Sequence, residues 1–126
     1  MGYKTFEELQ AYQLAREFRK EIFKLIKLLP EEEKYNLASQ MRRAGTSLTN
    51  NIAEGHGRSH YQENIQFCRQ SRGSLSELID DLNICHDEGY FPDAYLRELK
   101  NRAYRLNQCI NGYISYLRRR KTEDVE

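Results

Sequence analysis

The chain has 126 residues and a formal net charge of +1, with 39% hydrophobic and 31% charged residues. That length supports one domain, residues 1–126, and a surface of roughly 7,000 Å². It leaves no room for a separate cofactor domain. Two prolines, no tryptophan and abundant charge favour long amphipathic helices over a turn-rich β fold. No run of about 18 apolar residues is present, so no membrane span is expected. The opening Met1–Glu8 lacks the apolar stretch of a secretion signal. Cys68, Cys85 and Cys109 are odd in number and without motif spacing, which suits a reducing cytoplasm.

Apolar spacing then divides the chain into four helices. Ala11, Ala15, Phe18, Ile22, Leu25 and Leu29 form a heptad seam, with Thr5 and Glu8 reading as a capping box before it. Pro30 breaks that helix and can open the next. The second stripe is Leu37, Met41, Ala44, Leu48 and Ile52, ended by Gly55 and Gly57. Ser59 with Gln62 caps a third helix, whose seam is Tyr61, Asn64, Cys68, Ser71, Leu75, Leu78, Leu82 and Cys85. Gly89 stops it and Pro92 restarts the chain. The fourth seam is Leu96, Leu99, Ala103, Leu106, Ile110, Tyr113 and Leu117. Helices near residues 5–29, 31–55, 60–88 and 93–120, joined by short loops, predict an all-α, antiparallel up-down-up-down four-helix bundle.

Helix two carries a second pattern. Gln40, Arg43, Ser47, Asn51, Glu54 and Arg58 line a polar face beside its apolar stripe. Gly45 in the helix interior costs about 1 kcal/mol relative to Ala and invites a close crossing. Folding helix three back over the turn near residue 58 pairs residues whose numbers sum to about 116–118. In that register Gly45 faces Gly73, Arg42 or Arg43 faces Ser74, and Glu77 lies within reach of the arginine. The expected polar network is therefore Arg42, Arg43, Ser47, Asn51, Glu54, Arg58, Ser74 and Glu77. Three readings of it are open: a buried network that sets the register of the bundle, a ligand site, or a subunit contact.

The run Arg43–Gly55 followed by Arg58 resembles the signature of the bacterial four helix bundle protein family, first noted as open reading frames inside intervening sequences of large-subunit ribosomal RNA genes. Phe6-Glu7-Glu8-Leu9, Tyr35-Asn36-Leu37, Gln40-Met41-Arg42-Arg43 and Gly73-Ser74-Leu75-Ser76-Glu77-Leu78 fit the same family. The resemblance covers nearly the whole chain. It implies rings of five identical subunits. It also implies kinship with the accessory protein of diversity-generating retroelements, which binds reverse transcriptase and is expected to bind nucleic acid.

No constellation of catalytic residues stands out. His56 and His60 sit at one turn and His86 at the far end of helix three, so no metal is expected. Ser47, Ser71 and Ser74 lack a strained elbow and a nearby histidine. Asp80-Asp81 and Asp87-Glu88 are helical neighbours that point apart, toward solvent. No phosphate loop or dinucleotide fingerprint is present, and no cofactor is expected.

Charge is segregated instead. Residues 73–90 hold five carboxylates and no Lys or Arg, whereas residues 91–121 hold eight Lys or Arg against two carboxylates. The run Arg118, Arg119, Arg120 and Lys121 is a candidate nucleic-acid contact, although cations in a last turn also complement the helix dipole. Leu9, Tyr12 and Phe23 on helix one, and Tyr95, Tyr104 and Tyr116 on helix four, lie outside the main seams. These patches are expected to remain exposed in a monomer and so to be covered by another copy. The residues thus support a non-enzymatic, homo-oligomeric assembly module, and the resemblance implies that it forms a ring. The alternative is a nucleic-acid-binding accessory protein using Arg42, Arg43, Arg58 and the basic face and tail of helix four.

Overall fold

A computed structural model describes residues 5–123. Residues Met1–Lys4 of the opening segment read for a leader lie outside that range. Four α-helices follow in chain order: α1 (Gln10–Lys27), α2 (Leu37–His56), α3 (Tyr61–Asp87) and α4 (Asp93–Glu123). Single 3₁₀ turns at Phe6–Glu8 and Glu31–Glu33 precede α1 and α2. The described residues contain no strand. The helices run up, down, up, down, each antiparallel to the next.

The heptad seams form the core. Phe18, Ile22 and Leu25 of α1 meet Met41, Leu48 and Ile52 of α2, Leu75, Leu78 and Leu82 of α3, and Leu99, Leu106 and Ile110 of α4 in one buried cluster. Each such side chain contributes about 1.5–3 kcal/mol by leaving water. The last turns of α4 depart from the expected seam. Ile114 is fully buried, whereas Tyr113 lies at the margin, where its hydroxyl accepts a hydrogen bond from Asn64 Nδ2 at 3.1 Å. A tyrosine is better placed where its hydroxyl can find a partner than in an all-apolar layer.

The helix ends differ more. Thr5 makes no side-chain cap, and α1 begins only at Gln10, after an extended Leu9. Leu9 is 2% exposed, and Phe6 meets Tyr12 edge-on with ring centroids 4.8 Å apart. Burial of apolar groups, rather than a capping box, thus sets the entry into α1. Pro30 opens a 3₁₀ turn instead of α2. The carboxylate of Glu33 then accepts hydrogen bonds from the Leu37 amide (3.3 Å), from Asn36 Nδ2 (3.3 Å) and from the distant Tyr90 hydroxyl (2.6 Å). Ser59 does not cap α3; the residue before its first turn is His60, with no side-chain cap bond. Gly89 behaves as expected. At φ +70° it lets its own amide bond to His86 O and the Tyr90 amide to Cys85 O, closing the end of α3.

The crossing expected between Gly45 and Gly73 does not form. A Cβ on Gly45 would lie 2.9 Å from Phe23 Cε1 and 3.4 Å from Arg19 Cγ, so this glycine admits α1, not α3. Gly73 is exposed, with nothing near the place of its missing Cβ. The close approach of α2 to α3 is at Gly55 instead. There a Cβ would meet Asn64 Oδ1 at 2.6 Å and Phe67 Cβ at 2.9 Å.

Candidate functional site: the polar seam between α2 and α3

Several hydroxyl, amide and carboxyl groups face one another along the α2–α3 contact. Ser74 Oγ donates to Ser47 Oγ at 2.8 Å, and Asn51 Nδ2 donates to both Ser47 Oγ and the Ser47 carbonyl at 2.9 Å. Ser71 Oγ, fully buried, donates to the Leu48 carbonyl at 2.6 Å. Nearer the end of the bundle that holds Glu33, Gln40 Nε2 donates to Asp81 Oδ1 at 2.7 Å. Ser47 opposite Ser74 and Gln40 opposite Asp81 place the register three to five residues from the expected one.

The expected network is therefore brought together in part. Ser47, Asn51 and Ser74 meet. Glu54 and Arg58 bond to each other at 2.9 Å on the surface, and the Arg58 guanidinium lies 4.9 Å from the centre of the Phe67 ring. Arg42 and Arg43 make no ion pair with Glu77. The Arg42 guanidinium instead stacks 4.7 Å from the Phe23 ring centre on α1, and Arg43 and Glu77 are exposed. The cause is the rotation of α2 that turns Gly45 toward α1, because Arg42 lies one turn before it on the same face.

Asp81 corrects another expectation. Asp80 faces solvent, but Asp81 is only 1% exposed. Its Oδ2 has no hydrogen-bond partner among the described residues. Burial pushes its carboxyl up to about 6; the Gln40 bond opposes that rise, and nearby Glu77 and Asp80 reinforce it. The signal was present in the spacing, since Ser71, Ser74, Leu78, Asp81 and Cys85 step by three and four along one face of α3.

Other polar links tie α3 to α4. Arg72 Nη1 donates to Asn111 Oδ1 at 2.7 Å, and Lys100 Nζ donates to Asn83 Oδ1 at 2.7 Å. At the basic tail, Lys121 Nζ donates to Gln62 Oε1 at 2.7 Å and the Arg120 guanidinium lies 5.9 Å from the Tyr61 ring centre, so half of the run docks on α3. Arg118 and Arg119 are exposed. Burial pushes the Cys68 thiol up to about 12 and, with Asp81 and Glu33 adding to it, that of Cys85 up to about 11. Both thiols stay protonated near neutrality and are poor nucleophiles.

The apolar patches outside the seams are mostly covered within the chain. Leu9 is buried, and Tyr12, Phe23, Tyr95 and Tyr116 are packed against the core; only Tyr104 remains 52% exposed. The 3₁₀ turn before α1 and the gap left by Gly45 supply cover that spacing alone does not reveal.

A family model described as 23S rRNA-intervening sequence protein matches residues 7–112. The chain belongs to that family. It is similar in fold to the crystal structure of a protein of unknown function from the S23 ribosomal protein family of Bacteroides thetaiotaomicron VPI-5482. The TM-score is 0.77 at 22% identity, covering 83% of this chain and 95% of that one. No curated protein matches the sequence significantly. This chain and the Bacteroides protein share the four-helix fold, which by itself specifies no activity. No helix among the described residues is long and apolar enough to cross a membrane.

Proposed function

We propose that this protein is a non-enzymatic assembly module that works as a homo-oligomeric ring in the cytoplasm. The observation that carries the reading is the separation of charge along the bundle. Up-down topology gathers Glu31, Glu32, Glu33, Asp87, Glu88 and Asp93, against Lys27 and Lys34, at the end formed by the α1–α2 and α3–α4 connections, which is acidic on balance. It brings Arg58, Arg118, Arg119, Arg120 and Lys121 to the opposite end, where Glu54 and Glu123 pair with Arg58 and Arg120. A heterologous contact joins two different surfaces of one subunit, and opposite charge on the two ends favours association of copies, while closure into a ring is what the family resemblance implies. The seam fits a structural role, because the hydroxyls of Ser47, Ser71 and Ser74 are committed to the α2–α3 contact. Three free cysteines suit a reducing compartment.

Five subunits is the count implied by the family resemblance. Multi-angle light scattering tests it at micromolar concentration. A mass near five times the 15.0 kDa chain supports the ring. A mass near twice that value keeps the oligomer and rejects the ring, and the monomer mass refutes both.

A further inference from the structure

The α1–α2 face carries a concentration of cations that the near-neutral composition conceals. Two adjoining depressions of about 350 and 440 Å³ run between these helices and share Lys27. Arg19, Lys20, Lys24, Lys27, Lys34 and Arg42 line them, with Glu31 the one carboxylate on their walls. Lys20 and Lys24 pair with Glu17 at 3.5 Å and Glu21 at 3.1 Å on the exposed side of α1, contacts that hold a surface lysine only weakly. Lys27 and Arg42 form no ion pair among the described residues.

The floor of this groove is built. Gly45 lets the edge of Phe23 lie against α2, and the Arg42 and Arg19 guanidiniums then sit 4.7 and 6.0 Å from the ring centre. Arg19 is further held by its 2.7 Å bond to Thr49 Oγ1. Two guanidiniums are thereby positioned before any ligand arrives, with N–H groups left to donate. An arginine fork fits two oxygens of one phosphate. The Phe23 ring serves as a pedestal for cations and is not an open platform for a base.

We propose that the groove between α1 and α2 binds the phosphate backbone of a single-stranded nucleic acid without regard to base sequence. Charge complementarity selects this occupant. The buried centre of a protein–protein contact is depleted of lysine, whereas these walls carry four lysines and two arginines around one aromatic ring. Single-strand binders run a positively charged groove along the backbone. The proposal is independent of the assembly reading, since the groove lies within one subunit.

The test is fluorescence anisotropy with a labelled oligouridylate of about 20 nucleotides, using the full chain. If four cations meet phosphates, the slope of log K against log salt is about −3, a loss of about 50-fold between about 50 and 200 mM salt. Lys27→Glu and, separately, Arg42→Gln should each weaken binding about tenfold and reduce that slope by about 1, with circular dichroism and oligomeric mass unchanged. Arg118→Gln with Arg119→Gln should leave binding within about twofold of the wild type. No binding at about 50 mM salt overturns the proposal, as does binding that survives both groove substitutions or disappears with the tail pair. A groove variant that changes the mass but not RNA affinity also overturns it, and assigns the face to a subunit contact.

Discussion

Replacing Asp81 with asparagine should stabilise the protein at neutral and alkaline pH and have almost no effect in acid. The amide is isosteric, so its Oδ1 can still accept the 2.7 Å bond from Gln40 Nε2, and only the charge is removed. The Asp81 carboxyl lies near 6 in the folded protein, against an ordinary 3.8. The folded state therefore holds the proton more tightly than the unfolded chain. Stability supplied by the neutral form is complete below about 3.8 and is lost as pH rises through about 6. Above that pH the buried carboxylate costs the fold at most about 3 kcal/mol, at 1.36 kcal/mol per pH unit. Urea unfolding of the wild type and Asp81→Asn, from pH 4 to pH 8, measures this directly. Taking the difference cancels the many exposed carboxylates that titrate in the same range. The variant should gain about 2–3 kcal/mol at pH 8, with the two proteins converging toward pH 4. A difference that stays flat across that range, or a variant less stable at pH 8, would refute the reasoning.

Three other substitutions probe the packing of α2 and α3. Gly73→Ala replaces an exposed glycine inside α3 with nothing near its Cβ, and should raise stability by about 0.5–1 kcal/mol in thermal unfolding. Gly55→Ala should have the opposite sign, because the new methyl meets Asn64 and Phe67 inside 3.0 Å; a loss of about 1–3 kcal/mol is expected by urea titration. Gly45→Leu should also cost about 1–3 kcal/mol, by displacing Phe23, and Phe23→Ala in the same chain should recover part of that loss. An unchanged melting temperature for Gly45→Leu would show that the contact with Phe23 is incidental.

The number of helices, their type and their antiparallel order were legible in the amino-acid sequence. So were most of the core residues, including the polar members Asn64 and Ser71 of α3. A 3.6-residue period repeated over five or more turns has few other solutions, and Gly89 followed by Pro92 marks a helix end by local backbone preference alone. The helix starts were not legible to that precision. α1 begins where Leu9 is buried, and the first amide of α2 is met by Glu33, which also receives the hydroxyl of Tyr90 from the α3–α4 connection. Contacts of that range leave no trace in local spacing.

The polar seam divides in the same way. Ser47, Asn51 and Ser74 could be grouped in one network because a short turn joins α2 to α3, but the expected register set Ser74 opposite Arg42 or Arg43 rather than Ser47. Which neighbour each remaining residue of α2 meets was decided only in the tertiary structure. Successive residues differ by about 100° around a helix axis, so a small rotation of α2 transfers a side chain from one neighbouring helix to another. That rotation turned Gly45 and Arg42 toward Phe23 on α1, and a neighbouring position on α3 separates exposed Asp80 from buried Asp81. One helix's apolar stripe points to the core, but the azimuth that assigns its flanks to α1 or α3 is set by all four helices packing at once.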